Sequence, residues 1–348
     1  MTRGKLISTL VAIVLSVVFL VIAFRRIEFG QLVETFRTIQ WLYAVPFVAV
    51  TWVTFWWRGW RWMKLLRATH RLRLRDVFGP MMVGFGFNSI FPARAGEFAR
   101  PLALVKQANV PYTTGFSSVV VERIWDILAL LFFFILCSFF ITFDDSIAYA
   151  YGELTITPAT LEGIVRKVSI LAAVLLAGSL TMLSGRCRDL MRWILHRLPL
   201  LPDKVRATLV ALFDSFALGF EALRRPALVA QVAFDSLGIW FLTGLTFWIM
   251  ALGFPGFEMT VGHAMVFLVV TCLMVSLPSA PGYWGLYEVG GLIALKLVDP
   301  QIDESLAMGY TLVVHFLQWA LVTVVGLYYA GRIHVSVKEV PSDVELKT

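Results

Sequence analysis

Six apolar runs, at about residues 5–24, 40–57, 112–143, 165–184, 226–252 and 305–331, are each long enough to cross a bilayer, where a helix needs roughly 20 residues. Only 15% of the 348 residues are charged and 59% are hydrophobic, too little charge to clothe a water-facing surface; mean hydropathy is +0.78. The runs are continuous rather than ten-residue alternations, which excludes a β-barrel. The class that follows is an all-α polytopic membrane protein. The run Lys5 to Phe24 is followed by Arg25-Arg26 rather than a small-residue cleavage site, and reads as a retained span. Cys137, Cys187 and Cys272 lie far apart without metal-ligand spacing and read as small apolar fillers.

Two shorter hydrophobic pairs, at about 77–107 and 263–298, are interrupted in their middles by proline and glycine. Neither half of a pair is long enough to span comfortably. The expectation is six full spans plus two re-entrant helical hairpins. With the N-terminus inside and each hairpin entering and leaving on one side, 21 of the 30 Lys and Arg residues fall on the cytoplasmic side and six outside. Three, Arg94, Arg100 and Arg123, fall at membrane depth. That asymmetry satisfies the positive-inside rule and puts both termini in the cytoplasm. The block from Arg58 to Arg75 carries seven of the inside cations, with Trp57, Trp60 and Trp62 among them. It reads as an interfacial anchor or as a collector of anionic headgroups. The interleaved tryptophans argue against nucleic acid. Residues 186–225 read as a cytoplasmic amphipathic linker and 332–348 as a short cytoplasmic tail.

The order of elements repeats. Half one (1–145) and half two (165–331) each read span, span, interrupted hairpin, long span, and the two halves start on opposite sides. The breaks "IFPARAG" at 90–96 and "SLPSAPG" at 276–282 place Pro92 and Pro278 at matching positions. Such an inverted repeat within a single membrane domain is a transporter signature, and backbone broken at depth survives only against protein or a wet cavity. Both breaks are therefore expected to line one site.

"NSIFPARAGEFARPLAL", "SSVVVERIWDILAL" and "SLPSAPGYWGLYE", together with "RGWRWMKLL", resemble in order and spacing the lysylphosphatidylglycerol synthase transmembrane-region family, a group of flippase-like membrane proteins. The resemblance covers almost the whole chain. It implies movement of an anionic, aminoacylated, glycosylated or polyprenyl-linked lipid between leaflets. Relatives that are synthases carry such a domain ahead of a soluble aminoacyl-transferase domain; this chain is expected to be a stand-alone member. One departure concerns the second break. Where the family pattern runs proline-glycine-glycine-x-glycine, Pro281 and Gly282 are here followed by Tyr283, Trp284 and Gly285, so the pocket near Glu288 is expected to be narrower or shaped for a different headgroup.

Eight charged residues are read at depth: Arg94, Glu97, Arg100, Glu122, Arg123, Asp126, Asp235 and Glu288. A lone charge there costs at least about 2.5–3.5 kcal/mol on insertion scales, so each must pair or meet water. Glu122 and Asp126 are four apart and share a helix face. Bridges from Arg94 to Glu122 or Asp126, and from Arg123 to Glu97, would neutralise the set as a structural lattice. The same residues could instead hold the arginines ready for a phosphate, which guanidinium binds bidentately. Helix amides after Pro92, with Gly96 admitting the headgroup, would add to that grip. Candidate substrate-binding residues are Arg94, Glu97, Arg100, Glu122, Arg123, Asp126, Tyr283 and Glu288. Glu288 could pair with a first-half arginine or carry a proton. Asp235 and His315, the latter with Gln318, are candidates for proton coupling, or else for interhelical hydrogen bonds.

The expected activity is lipid transport in a bacterial or archaeal plasma (inner) membrane. The expected partners are a lipid with an anionic headgroup and a lipid-biosynthetic enzyme; no cofactor or nucleic acid is expected. Two alternatives stand beside it, a glycosyltransferase using a polyprenyl-phosphate donor and a membrane accessory subunit that transports nothing. For the enzyme, the only paired carboxylates near an outer surface are Asp144-Asp145; no zinc spacing, phosphate-cradling glycine loop or nucleophile-base set is visible.

Overall fold

The computed structural model describes residues 27–67, 70–91, 94–138, 149–151, 154–156, 226–276 and 281–335, with isolated helical positions between 14 and 24 and between 163 and 213. Apart from those isolated positions, the expected spans at 5–24 and 165–184 and the 186–225 linker lie outside the described residues, as do Cys187, Pro92, Pro278, Asp144-Asp145 and most of the tail.

The described chain is helical apart from one two-stranded ribbon. In order it forms α1 (Phe29–Thr38), a 3-10 turn (Trp41–Tyr43), α2 (Ala44–Leu66), α3 (Leu74–Ile90), α4 (Ala95–Ala108), α5 (Tyr112–Ser138), β1 (Tyr149–Tyr151) antiparallel to β2 (Leu154–Ile156), α6 (Pro226–Ala251), α7 (Val261–Val275), α8 (Leu286–Val298) and α9 (Glu304–Ile333). Local chemistry sets the ends. The Thr260 hydroxyl accepts the His263 N–H at 3.1 Å to start α7, and Asp303 accepts the Leu306 N–H at 2.8 Å to start α9. Asn109 turns left-handed at φ 53° to close α4.

Among the described residues, α6 and α9 are each long and apolar enough to cross a membrane, and α1 with α2 would do so as a pair bent by 70°. The 27 residues of α5 have the length, but Glu122, Arg123 and Asp126 interrupt its apolar character. The two interrupted pairs anticipated at 77–107 and 263–298 are α3 with α4 and α7 with α8, and each folds back on itself. Gly84 packs on Gly96 and Arg100 across the first pair; Gly290 meets Met274 and Gly291 meets Phe267 across the second. At 1.5 Å per residue, the 15-residue α7 and 13-residue α8 reach only about 22 and 20 Å, short of a hydrocarbon core of about 30 Å.

The first hairpin leans on α9, where Gly86 and Gly326 are so close that a Cβ on either would strike the other's Cα. Small residues permit such backbone approach where lipid supplies no hydrophobic drive between helices. The second hairpin packs on α6, α9 and α5 through an aromatic cluster of Phe247, Phe254, Phe267, Tyr287 and Tyr310. The Tyr310 hydroxyl donates to the Phe247 carbonyl at 2.7 Å, tying α9 to α6. Together these contacts bring the two hairpin tips against one another.

Candidate functional site

The tips meet through side chains. Arg94, at the start of α4, donates to the Val275 carbonyl at the end of α7 at 3.2 Å. Trp319 of α9 donates to the Ser89 carbonyl at 3.1 Å. Between them lies a cavity of about 440 Å³ lined from the first tip by Asn88, Ser89, Arg94 and Glu97, and from the second by Val275, Ser276, Gly282 and Tyr283. Arg58 of α2, Arg123 and Asp126 of α5, and His315 and Gln318 of α9 add to its polar wall. That volume suits a small-molecule or headgroup site.

Two residues without glycine's freedom turn left-handed at the breaks, Arg94 (φ 53°) and Tyr283 (φ 64°). Each such residue stores about 1–3 kcal/mol, and such strain persists where the surroundings over-determine it. Tyr283 holds a backbone conformation that glycine adopts without strain, and it puts a phenol on the cavity wall.

Behind the cavity sits a buried charge cluster. Glu122 accepts both Nη atoms of Arg100, at 3.0 and 2.9 Å, and one from Arg123 at 3.2 Å. Arg61 reaches Asp126 at 2.8 Å and Glu122 at 3.5 Å. Arg58 and Arg123 approach Asp126 at 3.9 and 3.5 Å. Arg100 stacks over the Trp62 ring at 3.7 Å and Arg58 over Trp240 at 4.6 Å, contacts that favour a desolvated cation. Among the described residues, four guanidinium groups thus share two carboxylates, an excess of two positive charges. Arg123 is the one of the four that keeps substantial exposure, 31% of its side chain, and it faces the cavity. Arg94, 43% exposed, lines the same cavity and pairs with Glu97 at 3.6 Å.

Several expected pairings differ. Arg94 does not reach Glu122 or Asp126, nor Arg123 Glu97; Arg94 pairs with Glu97 in its own helical turn and bonds the Val275 carbonyl, and the α5 carboxylates are taken by Arg58, Arg61, Arg100 and Arg123. Arg58 and Arg61 had read as interfacial anchors, yet α2 carries them inward, 7% and 0% exposed. The sign was present in Phe47, Thr51, Thr54, Arg58, Arg61 and Leu65, which recur at alternating spacings of four and three and form one buried seam. Gly96 admits no headgroup. A Cβ there would run into the Gly84 carbonyl oxygen, and its N–H is held by Asn88 Oδ1 at 2.8 Å, so it serves the close approach of α3 and α4.

Glu288 pairs with no arginine among the described residues. The turn at Pro281–Tyr283 precedes α8, so Glu288 falls in the first turn of that helix. There it accepts the Gly285 N–H at 2.6 Å and meets His315 Nδ1 at 2.6 Å. Asp235 lies away from the cavity, bound by Lys64 at 2.7 Å and by the Trp57 indole N–H at 2.9 Å, and so joins α6 to α2. Arg100 and Glu122 stand behind the wall, while Arg94, Glu97, Arg123, Asp126, Tyr283 and His315 line it.

Comparison with known proteins fits these features. The chain is 26% identical over 300 residues to the glycosyltransferase AglD of Haloferax volcanii, an alignment covering 81% of this chain and 47% of that protein. It therefore spans about half the length of the curated relative it matches. No solved structure matches it significantly. The model of the lysylphosphatidylglycerol synthase transmembrane region matches residues 9–326. That match takes in both hairpins, the charge cluster and the cavity, and the chain belongs to this family of membrane proteins.

Proposed function

We propose that the chain moves an anionic or polyprenyl-phosphate-linked lipid, glycosylated or aminoacylated in some cases, between the leaflets of a bacterial or archaeal plasma membrane. The observation that carries this reading is the excess of two guanidinium charges behind a cavity that both hairpin tips line. An uncompensated buried charge is costly, and a phosphate entering the cavity would offset it with charge-assisted, bidentate hydrogen bonds. Six full spans, two re-entrant hairpins entering from opposite faces and cytoplasmic termini complete the proposal. In such an inverted repeat, rocking of one half against the other would present the site to each leaflet in turn. Arg123 and Arg94 are the headgroup ligands, Tyr283 shapes the entrance, and Arg58, Arg61, Arg100, Glu122 and Asp126 hold the ligands in place. A lipid-biosynthetic enzyme that makes or uses the lipid is the fitting partner.

The test is a reconstitution. Vesicles carrying the full chain and a trace of acyl-labelled fluorescent phosphatidylglycerol or phosphatidylcholine are probed by quenching the outer leaflet. The phosphatidylglycerol probe is expected to exchange faster than in protein-free vesicles, and the phosphatidylcholine probe is not. Arg94→Ala should slow phosphatidylglycerol exchange by about 10- to 100-fold, the equivalent of one charge-assisted hydrogen bond of roughly 1.5–3 kcal/mol. Equal exchange of both probes, unaffected by Arg94→Ala, would contradict the reading. The name of the Haloferax relative supports a second reading; sugar transfer from a polyprenyl-phosphate donor by the purified chain, without lipid exchange, would favour it.

A further inference from the structure

The second hairpin tip is clasped by a closed ring of hydrogen bonds. The Gly285 N–H donates to Glu288 Oε2 at 2.6 Å, Glu288 Oε1 lies 2.6 Å from His315 Nδ1, and His315 Nε2 lies 2.8 Å from the Gly282 carbonyl. A carbonyl only accepts, so Nε2 carries a hydrogen. One further proton must then lie between Nδ1 and Oε1, because a bare nitrogen lone pair facing a carboxylate at that distance would repel it. Written as imidazolium with carboxylate or as imidazole with carboxylic acid, the pair is neutral and holds that one proton. Both groups are buried, at 4% and 0% exposure, but the ring forms part of the cavity wall. Tyr287 stacks on it at 4.1 Å and Trp284 packs on it at 4.3 Å, faces that suit a ring carrying positive charge.

We propose that the Glu288–His315 pair is the binding site of a proton that travels with the anionic lipid, an inference that rests on the lipid-moving reading. The groups around it give the sign. Arg58 of α2, Arg94 and Glu97 of α4, and Arg123 and Asp126 of α5 share its cavity. Cys272 of α7, Tyr283 of the turn, Tyr287 of α8 and Tyr310 of α9 surround it more closely or through Tyr287. The faces that α3 and α6 turn to the cavity carry no titratable group. Losing the shared proton to cavity water leaves the pair with one negative charge. That charge repels an anion held in the same cavity, so the lipid anion and the proton favour each other there. Each ligand strengthens the binding of the other to the same degree. Release also breaks the Nδ1–Oε1 link, freeing the turn that carries Tyr283 into the cavity, so loading and tip geometry change together. A singly charged lipid moving with one proton carries no net charge.

The test imposes a pH difference of one unit across vesicles holding the full chain and labelled phosphatidylglycerol, with potassium and valinomycin fixing the potential at zero. One proton per lipid drives up to about a tenfold excess of probe in the leaflet facing the alkaline side, and reversing the gradient reverses the excess. Glu288→Gln keeps a donor for Nδ1 and an acceptor for Gly285 but holds no exchangeable proton, and is expected to abolish the excess. A second measurement needs no transport: adding dioctanoyl phosphatidylglycerol to the detergent-solubilised chain in weak buffer should take up about one proton per bound lipid, and none in Glu288→Gln. Probe exchange in the wild type without any excess in either direction overturns the coupling and leaves the lipid-moving reading intact. An excess or proton uptake that survives in Glu288→Gln overturns the assignment to this pair. Absence of probe exchange in the wild type at every gradient overturns both readings.

Discussion

Glu122→Ala is expected to destabilise the chain by about 3–5 kcal/mol, the cost of leaving buried charge without its partner. Glu122 is fully buried and serves three arginines, Arg100 through two bonds and Arg61 and Arg123 through one approach each. Without it, four guanidinium groups face Asp126 alone. Arg100 and Arg61 cannot reach water, at 3% and 0% exposure. Glu122→Gln is expected to recover only part of the loss, since its amide N–H groups face guanidinium donors. Thermal unfolding of the detergent-purified chain, followed by tryptophan fluorescence, reads the ranking wild type, Glu122→Gln, Glu122→Ala. A Glu122→Ala midpoint equal to the wild type's would show that the cluster does not support the fold.

Gly96→Val is expected to disrupt the first hairpin, at a cost of about 3 kcal/mol or more. The Cβ would overlap a backbone carbonyl, that of Gly84, and also crowd Asn88 Oδ1. The Asn88 side chain can turn aside but the Gly84 backbone cannot, so α3 and α4 must separate. Separation would pull Arg100, which packs on Gly84, away from Glu122 and would shift the Arg94 end of the cavity. Gly331→Val provides the control, since a Cβ at Gly331 meets nothing within 4 Å. The expected result is a lowered melting midpoint for Gly96→Val alone. Equal midpoints for the two variants would mean that the hairpin does not close as described.

The breaks were legible because proline, glycine and charge inside an apolar run leave few alternatives. The α6 and α9 boundaries followed from hydrophobic length within a residue or two. Glu122 and Asp126 were correctly grouped because four residues make slightly more than one helical turn. The arginines that bind them were not found. In one dimension Arg58 and Arg61 continue a basic block with the look of a membrane interface, and only the seam spacing along α2 marks them as interior. The Glu288–His315 contact spans 27 positions and depends on a turn, Gly282 through Gly285, whose left-handed backbone ends the helical register that sequence periodicity assumes. Gly96 looked like room for a ligand because a missing side chain does not say what fills its place.

The central claim is that the guanidinium groups facing the cavity bind an anionic headgroup. Arg123 carries that claim most cleanly, because Asp126 keeps Arg61 and Glu122 keeps Arg100 when it is removed. The direct measurement is equilibrium binding of dioctanoyl phosphatidic acid and dioctanoyl phosphatidylcholine to the purified chain, wild type against Arg123→Ala and Arg123→Lys. The wild type should prefer the anionic lipid by about tenfold or more, the alanine variant should lose that preference, and lysine, lacking the planar fork, should restore only part of it. Equal affinity of the wild type for both lipids, or a preference unchanged in Arg123→Ala, would contradict the account.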